Sequence, residues 1–122
     1  MSTTIRIAAA LLIGADGRTL LVRKRGTQAF MQPGGKIDVG EQPAEALARE
    51  LFEELNLRID PNAAAYLGNF SAPAANEPGF TVDAELFQVQ IDVPVAPAAE
   101  IEEVRWIDPA GDGGLVLAPL TR

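Results

Sequence analysis

Three glutamates, Glu50, Glu53 and Glu54, are crowded into the segment ARELFEELNL, and a fourth, Glu41, precedes them. On a helix turning about 100° per residue, the three fall within an arc of about 100°. Charges some 5–6 Å apart repel by roughly 3 kcal/mol at an effective dielectric of 20. Glu53 and Glu54 also fall in the last turn, where the helix dipole disfavours anions. Several local rules are broken at one place, which is where function is expected. A divalent cation would turn each cost into a gain, because hard ions such as Mg²⁺ take oxygen ligands from one or two carboxylates and a substrate phosphate. A Glu-rich helix face is also a common solvated surface, and the three residues alone do not decide between the two.

The elements that must carry these acids can be read around them. Ala44, Leu47, Ala48, Leu51, Phe52 and Leu55 occupy the arc about 60° to 200° from Glu50, a core-facing stripe that the acids border. Pro43 suits the first helical position, where its missing N–H is harmless. Gln42 is a weak N-cap, with Glu45 placed to reach back as half a capping box. Asn56 stands at the C-cap, where asparagine is second only to glycine in adopting the left-handed conformation. Arg49 and Glu53 form an i,i+4 pair, in its plainest role a surface bridge.

Upstream, Gln32-Pro33-Gly34-Gly35 predicts a turn whose glycines permit positive φ and close approach to a ligand, followed by a short strand and loop over Lys36–Gly40. Ile5–Ile13 is an almost unbroken apolar run, expected as a strand buried on both faces. A turn at Gly14–Gly17 and a returning strand over Leu20–Arg25 complete a hairpin. The basic end of that strand, Arg23, Lys24 and Arg25, reads either as a solvated edge or as phosphate contacts, for which a planar guanidinium is suited. Phe30 reads either as a core or rim aromatic or as a platform on which a base stacks.

Downstream, Ala65–Ser71 predicts a strand, and Ala72–Gly79 a loop long enough to border a site, with Asn76 as its candidate polar contact. Phe80–Ile91 alternates as a strand whose apolar phase flips between Leu86 and Phe87, predicting a bulge or a change of buried face. Asp92–Ala99 is a Pro/Ala loop, and Glu100–Ile107 a last strand with Trp106 as a core or rim anchor. Asp108–Arg122 reads as a turn and a short apolar tail.

Bulk properties narrow the chemistry. The chain has 122 residues, 48% of them hydrophobic, which suits one globular domain over 1–122. Cysteine and histidine are both absent, so a metal would have to be held by oxygen, which favours Mg²⁺ or Mn²⁺ over structural zinc. A net charge of −7 argues against a nucleic-acid polymer as partner. The N-terminal stretch lacks a basic flank, and its apolar run is too short to cross a membrane, so a cytoplasmic protein without membrane contact is expected.

The longer pattern, Gly35, then Glu41, then Arg49-Glu50-Leu51, then Glu53-Glu54, closing at Leu57, resembles the signature box of the Nudix hydrolase family. The six fixed residues among these, leaving out the apolar Leu51 and Leu57, would at about 7% each coincide by chance on the order of once in ten million starting positions. Asn56 is the one departure, since the box normally has glycine there, and it removes no catalytic group. The resemblance covers roughly residues 5–107. It implies an α/β fold, an α/β/α sandwich around a mixed sheet, with a closing C-terminal helix short or missing in this chain.

The resemblance also implies Mg²⁺, with Mn²⁺ able to substitute, held by Glu50, Glu53, Glu54 and the Gly34 carbonyl. An acid before the tryptophan would complete the set, Glu100 first and Glu103 in reserve. Glu41 and Arg49 would orient the acids. The base would be Glu50 or a carboxylate outside the box. Arg23, Arg25, Gly35, Lys36, Phe30 and Asn76 are the candidates for binding substrate.

The implied reaction is hydrolysis of a nucleoside diphosphate linked to another moiety. The FMQPGGKID context looks most like MutT-like nucleoside triphosphate pyrophosphohydrolases, which release a nucleoside monophosphate and pyrophosphate. Pro73 is reminiscent of ADP-ribose pyrophosphatases, which leaves an ADP-ribose or nucleotide-sugar substrate as an alternative. A nucleotide-binding module without catalysis is another. The expected partner is a small nucleotide, and the residues leave a homodimer open.

Overall fold

The computed structural model describes residues 3–73 and 79–108. Its elements are β1 (Thr3–Ile13), β2 (Thr19–Lys24), β3 (Gly34–Lys36), α1 (Pro43–Leu55), a 3-10 turn at Pro61–Ala63, β4 (Ala65–Pro73), β5 (Phe80–Gln90) and β6 (Ile101–Ile107). They form an α/β fold with one mixed sheet in the order β4-β5-β1-β2-β6, to which β3 is added against β1.

β1 organises the sheet. β5 runs parallel to it along its whole length, from Thr3 beside Phe80 to Ile13 beside Gln90. Its other edge is shared between β3, antiparallel to Ile7–Ala9, and β2, which pairs at the hairpin end. Burial on both faces begins at Ala8. Ala8, Ala10 and Leu12 join the core with Leu20 and Val22, while Ala9 and Leu21, of the opposite parity, are buried as well. The alanines are small enough to let α1 and β3 come close. Ala46, Leu47, Leu51 and Leu55 of α1 complete the core against Phe87 and Val89 of β5. Burial of each such leucine contributes about 1.5–3 kcal/mol.

The helix ends are built as their residues dictate. Pro43 starts α1, the Gln42 N–H donates to Glu45 Oε1 (3.0 Å), and Asn56 is left-handed at φ 54°, ψ 31°. The predicted stripe, however, is turned. Phe52 is 43% exposed, with the Arg58 guanidinium 4.5 Å over its ring, whereas Ala46 and Glu54 are buried. The buried arc is thus rotated by about 80° from the expected one. Glu54 lies inside the buried face rather than at its border.

Two further expectations are corrected. The glycine pair does not form a turn; it opens β3, with Gly34 beside Ala9 and Gly35 beside Ala8. The flip in β5 does coincide with a bulge, but the extra residue is Leu67 on the partner strand, since Tyr66 pairs with Phe87 and Gly68 with Leu86. β5 itself runs on unbroken beside β1. Asn76 and the tail expected to hold a curtailed closing helix lie outside the described residues. Among the described residues no helix is long and apolar enough to cross a membrane.

Candidate active site

The acidic box gathers around Arg49. Its guanidinium donates from Nε to Glu41 Oε2 (2.8 Å) and from Nη2 to Glu41 Oε1 (2.9 Å), a two-pronged bond. Nη1 donates to Glu50 Oε1 (2.8 Å) and Nη2 to the Lys36 carbonyl (3.0 Å). Asp38 and Glu53 lie at 3.4 and 3.6 Å from the same guanidinium. Arg49 is therefore not the ordinary i,i+4 bridge. It joins the loop before α1, strand β3 and the helix in one network.

The charges respond to this arrangement. Arg49's hydrogen bonds, helped by the Asp38 N–H, hold the Glu41 carboxyl down at about 2. The carboxylates in turn raise Arg49 further above its ordinary range, Glu41 contributing most. Glu54 behaves in the opposite way. It is 6% exposed, and burial pushes its carboxyl up to about 7, with Lys24 opposing and Glu50 and Glu100 adding to the rise. Its Oε1 accepts the Gly34 N–H at 3.4 Å.

The two glycines make room for different neighbours, Gly35 for the Glu50 carboxylate and Gly34 for the backbone of β1. A Cβ on Gly35 would fall onto the Glu50 carboxylate. A Cβ on Gly34 (φ 148°) would strike the Ala8 carbonyl oxygen and come within 2.7 Å of Ala9 Cα. The donors present are oxygens, and Glu54 is a buried carboxyl to which a cation would restore full charge. These features suit a hard divalent ion. Among the described residues no three acidic side chains converge closely enough to enclose an ion as they stand. Glu50 is turned to Arg49 and Glu54 to the Gly34 N–H.

The other expected residues divide. Glu100 acts on Glu54, and its carbonyl accepts the Arg25 N–H (2.7 Å). Glu103, the reserve, is instead held by Arg105 (2.6 Å) and Arg23 (3.3 Å), which keep its carboxyl below the usual range. Arg23 is occupied by Glu103 and the Thr27 carbonyl, and Arg25, 72% exposed, pairs loosely with Glu102 at 3.4 Å. Lys36 offers its carbonyl to Arg49, while the residue is exposed. Phe30 is 5% exposed, so its ring belongs to the interior and presents no free face to a base.

Sequence reasoning named Lys24 only as part of the basic strand end, without singling it out for the site, and missed Asp38. Lys24 shares its strand parity with the core residues Leu20 and Val22, which face α1, while Arg23 and Arg25 share that of Leu21; this alternation was the available signal. Asp38 had no comparable signal, since its contact with Arg49 depends on how the loop folds back.

The family described as NUDIX domain matches residues 3–111. Among curated proteins, the chain is 37% identical over 113 residues to an octanoyltransferase of Myxococcus xanthus, covering 86% of this chain and 30% of that protein. It is 39% identical over 66 residues to an 8-oxo-dGTP diphosphatase of Haemophilus influenzae, covering 51% of this chain and 48% of that one. The chain thus spans less than half the length of these relatives. Among solved structures, a MutT NUDIX hydrolase from Burkholderia pseudomallei superposes with a TM-score of 0.79 at 21% identity, covering 94% of this chain and 91% of that one, a likeness of fold.

Proposed function

This chain belongs to the NUDIX domain family, and from that premise we propose that it hydrolyses the diphosphate of a small nucleotide in a Mg²⁺-dependent reaction, with Mn²⁺ able to substitute. The leading substrate class is a (d)NTP, cut to a nucleoside monophosphate and pyrophosphate. The observation that carries this reading is the Arg49 fork binding Glu41 and Glu50 beside the buried Glu54. A run of surface acids would have no need of such a frame.

Glu50, Glu53 and Glu54, with the Gly34 carbonyl and Glu100, would hold the ions. When bound, these neutralise phosphate oxygens and lower the pKa of the attacking water. Arg49 and Glu41 keep the Glu50 carboxylate in place. The water's proton passes to a carboxylate, Glu50 in this reading, because the chain has no histidine. Water adds to phosphorus as the anhydride bond breaks, and pyrophosphate leaves with the bonding electrons. Lys24, whose field already reaches Glu54, and the exposed Arg25 supply positive charge for the phosphates. A cytoplasmic location and a single domain over 1–122 go with this proposal.

A phosphate-release screen of unmodified and oxidised NTPs, ADP-ribose, nucleotide sugars and dinucleoside polyphosphates tests this. Turnover is expected with an NTP and Mg²⁺, and its loss in Glu53→Gln/Glu54→Gln without loss of fold. Unchanged rates in that variant would refute the metal-holding assignment. Tight nucleotide binding without cleavage at any Mg²⁺ or Mn²⁺ concentration would make the chain a binding module instead.

A further inference from the structure

Residues 92–99 leave β5 and cross the end of α1 without regular structure, yet they are tied to it by three hydrogen bonds. The Ala96 N–H donates to the Leu55 carbonyl (2.9 Å), the Ala98 N–H to the Glu54 carbonyl (2.8 Å), and Asn56 Nδ2 to the Ala96 carbonyl (2.8 Å). The first two satisfy carbonyls that any helix end leaves unpaired. The third is different in kind. Glycine would meet the left-handed requirement at position 56 equally well, but it has no amide to reach Ala96.

The strap then turns sharply into Glu100. Ala99 is left-handed at φ 54°, and among the described residues it and Asn56 are the only non-glycines with positive φ. Alanine avoids that conformation unless its surroundings impose it. The surroundings here are the bonds at Ala96 and Ala98 on one side and, on the other, the Glu100 carbonyl accepting the Arg25 N–H, with Ile101 registered beside Lys24. One segment is thus bonded to the backbone of Glu54 and, two residues later, delivers Glu100.

We propose that Asn56 is a positioning residue: its amide clamps the 92–99 strap onto the last turn of α1 and thereby sets where Glu100 stands relative to Glu54. This rests on the reading above, in which those acids hold the cation. Asn56 acts only through the strap and touches neither the ion nor the nucleotide. Position 56, which a helix end needs only for its backbone, here also registers a distant loop to the site.

The test combines amide hydrogen exchange with Mn²⁺ titration calorimetry on the wild type, Asn56→Gly, Ala99→Gly, Glu100→Gln and Asn56→Gly/Glu100→Gln. Asn56→Gly keeps the helix cap, so the fold should hold while the Ala96 and Ala98 amides exchange several-fold faster and Mn²⁺ binds about 10-fold more weakly. Ala99→Gly should melt no lower than the wild type and still bind Mn²⁺ more weakly, a combination that a merely structural role does not produce. In the Glu100→Gln background, Asn56→Gly should have almost no further effect. The clamp is overturned if exchange at Ala96 is unchanged, or if the affinity loss persists at full size without Glu100. A wild type that binds no Mn²⁺ rejects the metal reading instead, and with it the clamp's purpose, while the exchange data still report whether the clamp exists.

Discussion

Gly34 and Gly35 are adjacent and identical, yet a side chain at each would meet a different obstacle. At Gly34 the obstacle is the backbone of β1, and the residue's φ of 148° is itself closed to L side chains. Gly34→Ala should therefore cost about 1–3 kcal/mol of stability, read as a lower melting temperature in the absence of metal and substrate. At Gly35 the obstacle is the Glu50 carboxylate, the end of a side chain that can move. Gly35→Ala should melt close to the wild type but lose roughly 10-fold or more in kcat, since it displaces an acid from its frame. Arg49→Lys tests the same frame from the other side. A lysine cannot reproduce the two-pronged bond to Glu41 while also holding Glu50, so the Glu41 carboxyl should rise from about 2 towards its ordinary range, followed by carbon-detected NMR titration.

At the scale of the helix, the rotation of α1 matters most. Leu51 is fully buried and Phe52 is 43% exposed, although both lay on the predicted stripe. Leu51→Ala should cost about 2–5 kcal/mol, and Phe52→Ala far less, a difference that denaturant melts resolve. The rotation also puts Glu54 in the core. A carboxyl whose pKa is raised from 4.5 to about 7 holds its proton longer in the folded chain than in the unfolded one. The contribution of Glu54 to the stability of the metal-free protein is therefore fullest below about 4.5, falls as pH rises towards about 7, and levels off above that, opposite in sign to that of the lowered Glu41. Glu54→Gln should remove most of this slope, stabilise the metal-free protein at pH 8 by up to about 3 kcal/mol, and abolish turnover. A site that weakens its own fold in this way is expected where function requires it.

For the whole molecule, the same burial would couple binding of the proposed cation to folding. A cation held by the folded chain alone stabilises it by about 2.7 kcal/mol at a hundred times its Kd. Mg²⁺ or Mn²⁺ should therefore raise the melting temperature, and more at pH 8 than at pH 6, where Glu54 must first give up its proton. A scanning melt at both pH values, with and without chelator, measures this. The topology also explains which residues could be found in advance. The box acids lie on one helix and its entry loop, where spacing alone sets their relation, and Asn56 could be assigned because a helix end imposes a backbone requirement of its own. Lys24, Asp38 and the Asn56–Ala96 bond connect segments that the fold brings together, and only the strand alternation behind Lys24 left a trace in the sequence.

The sequence by itself determined which acids share one helix with its caps and an arginine, because those relations are local and repeat with the helical period, while the chemistry proposed for them came from the resemblance of the longer box. Only the tertiary structure decided how far that helix is turned, which carboxylate is buried, that the glycines form a strand edge rather than a turn, and that Phe30 lies in the interior. Each of these depends on the space left between the helix and the sheet. Gly35 of β3 leaves such space for the Glu50 carboxylate, and Gly34 lets β3 lie against Ala8 and Ala9 of β1.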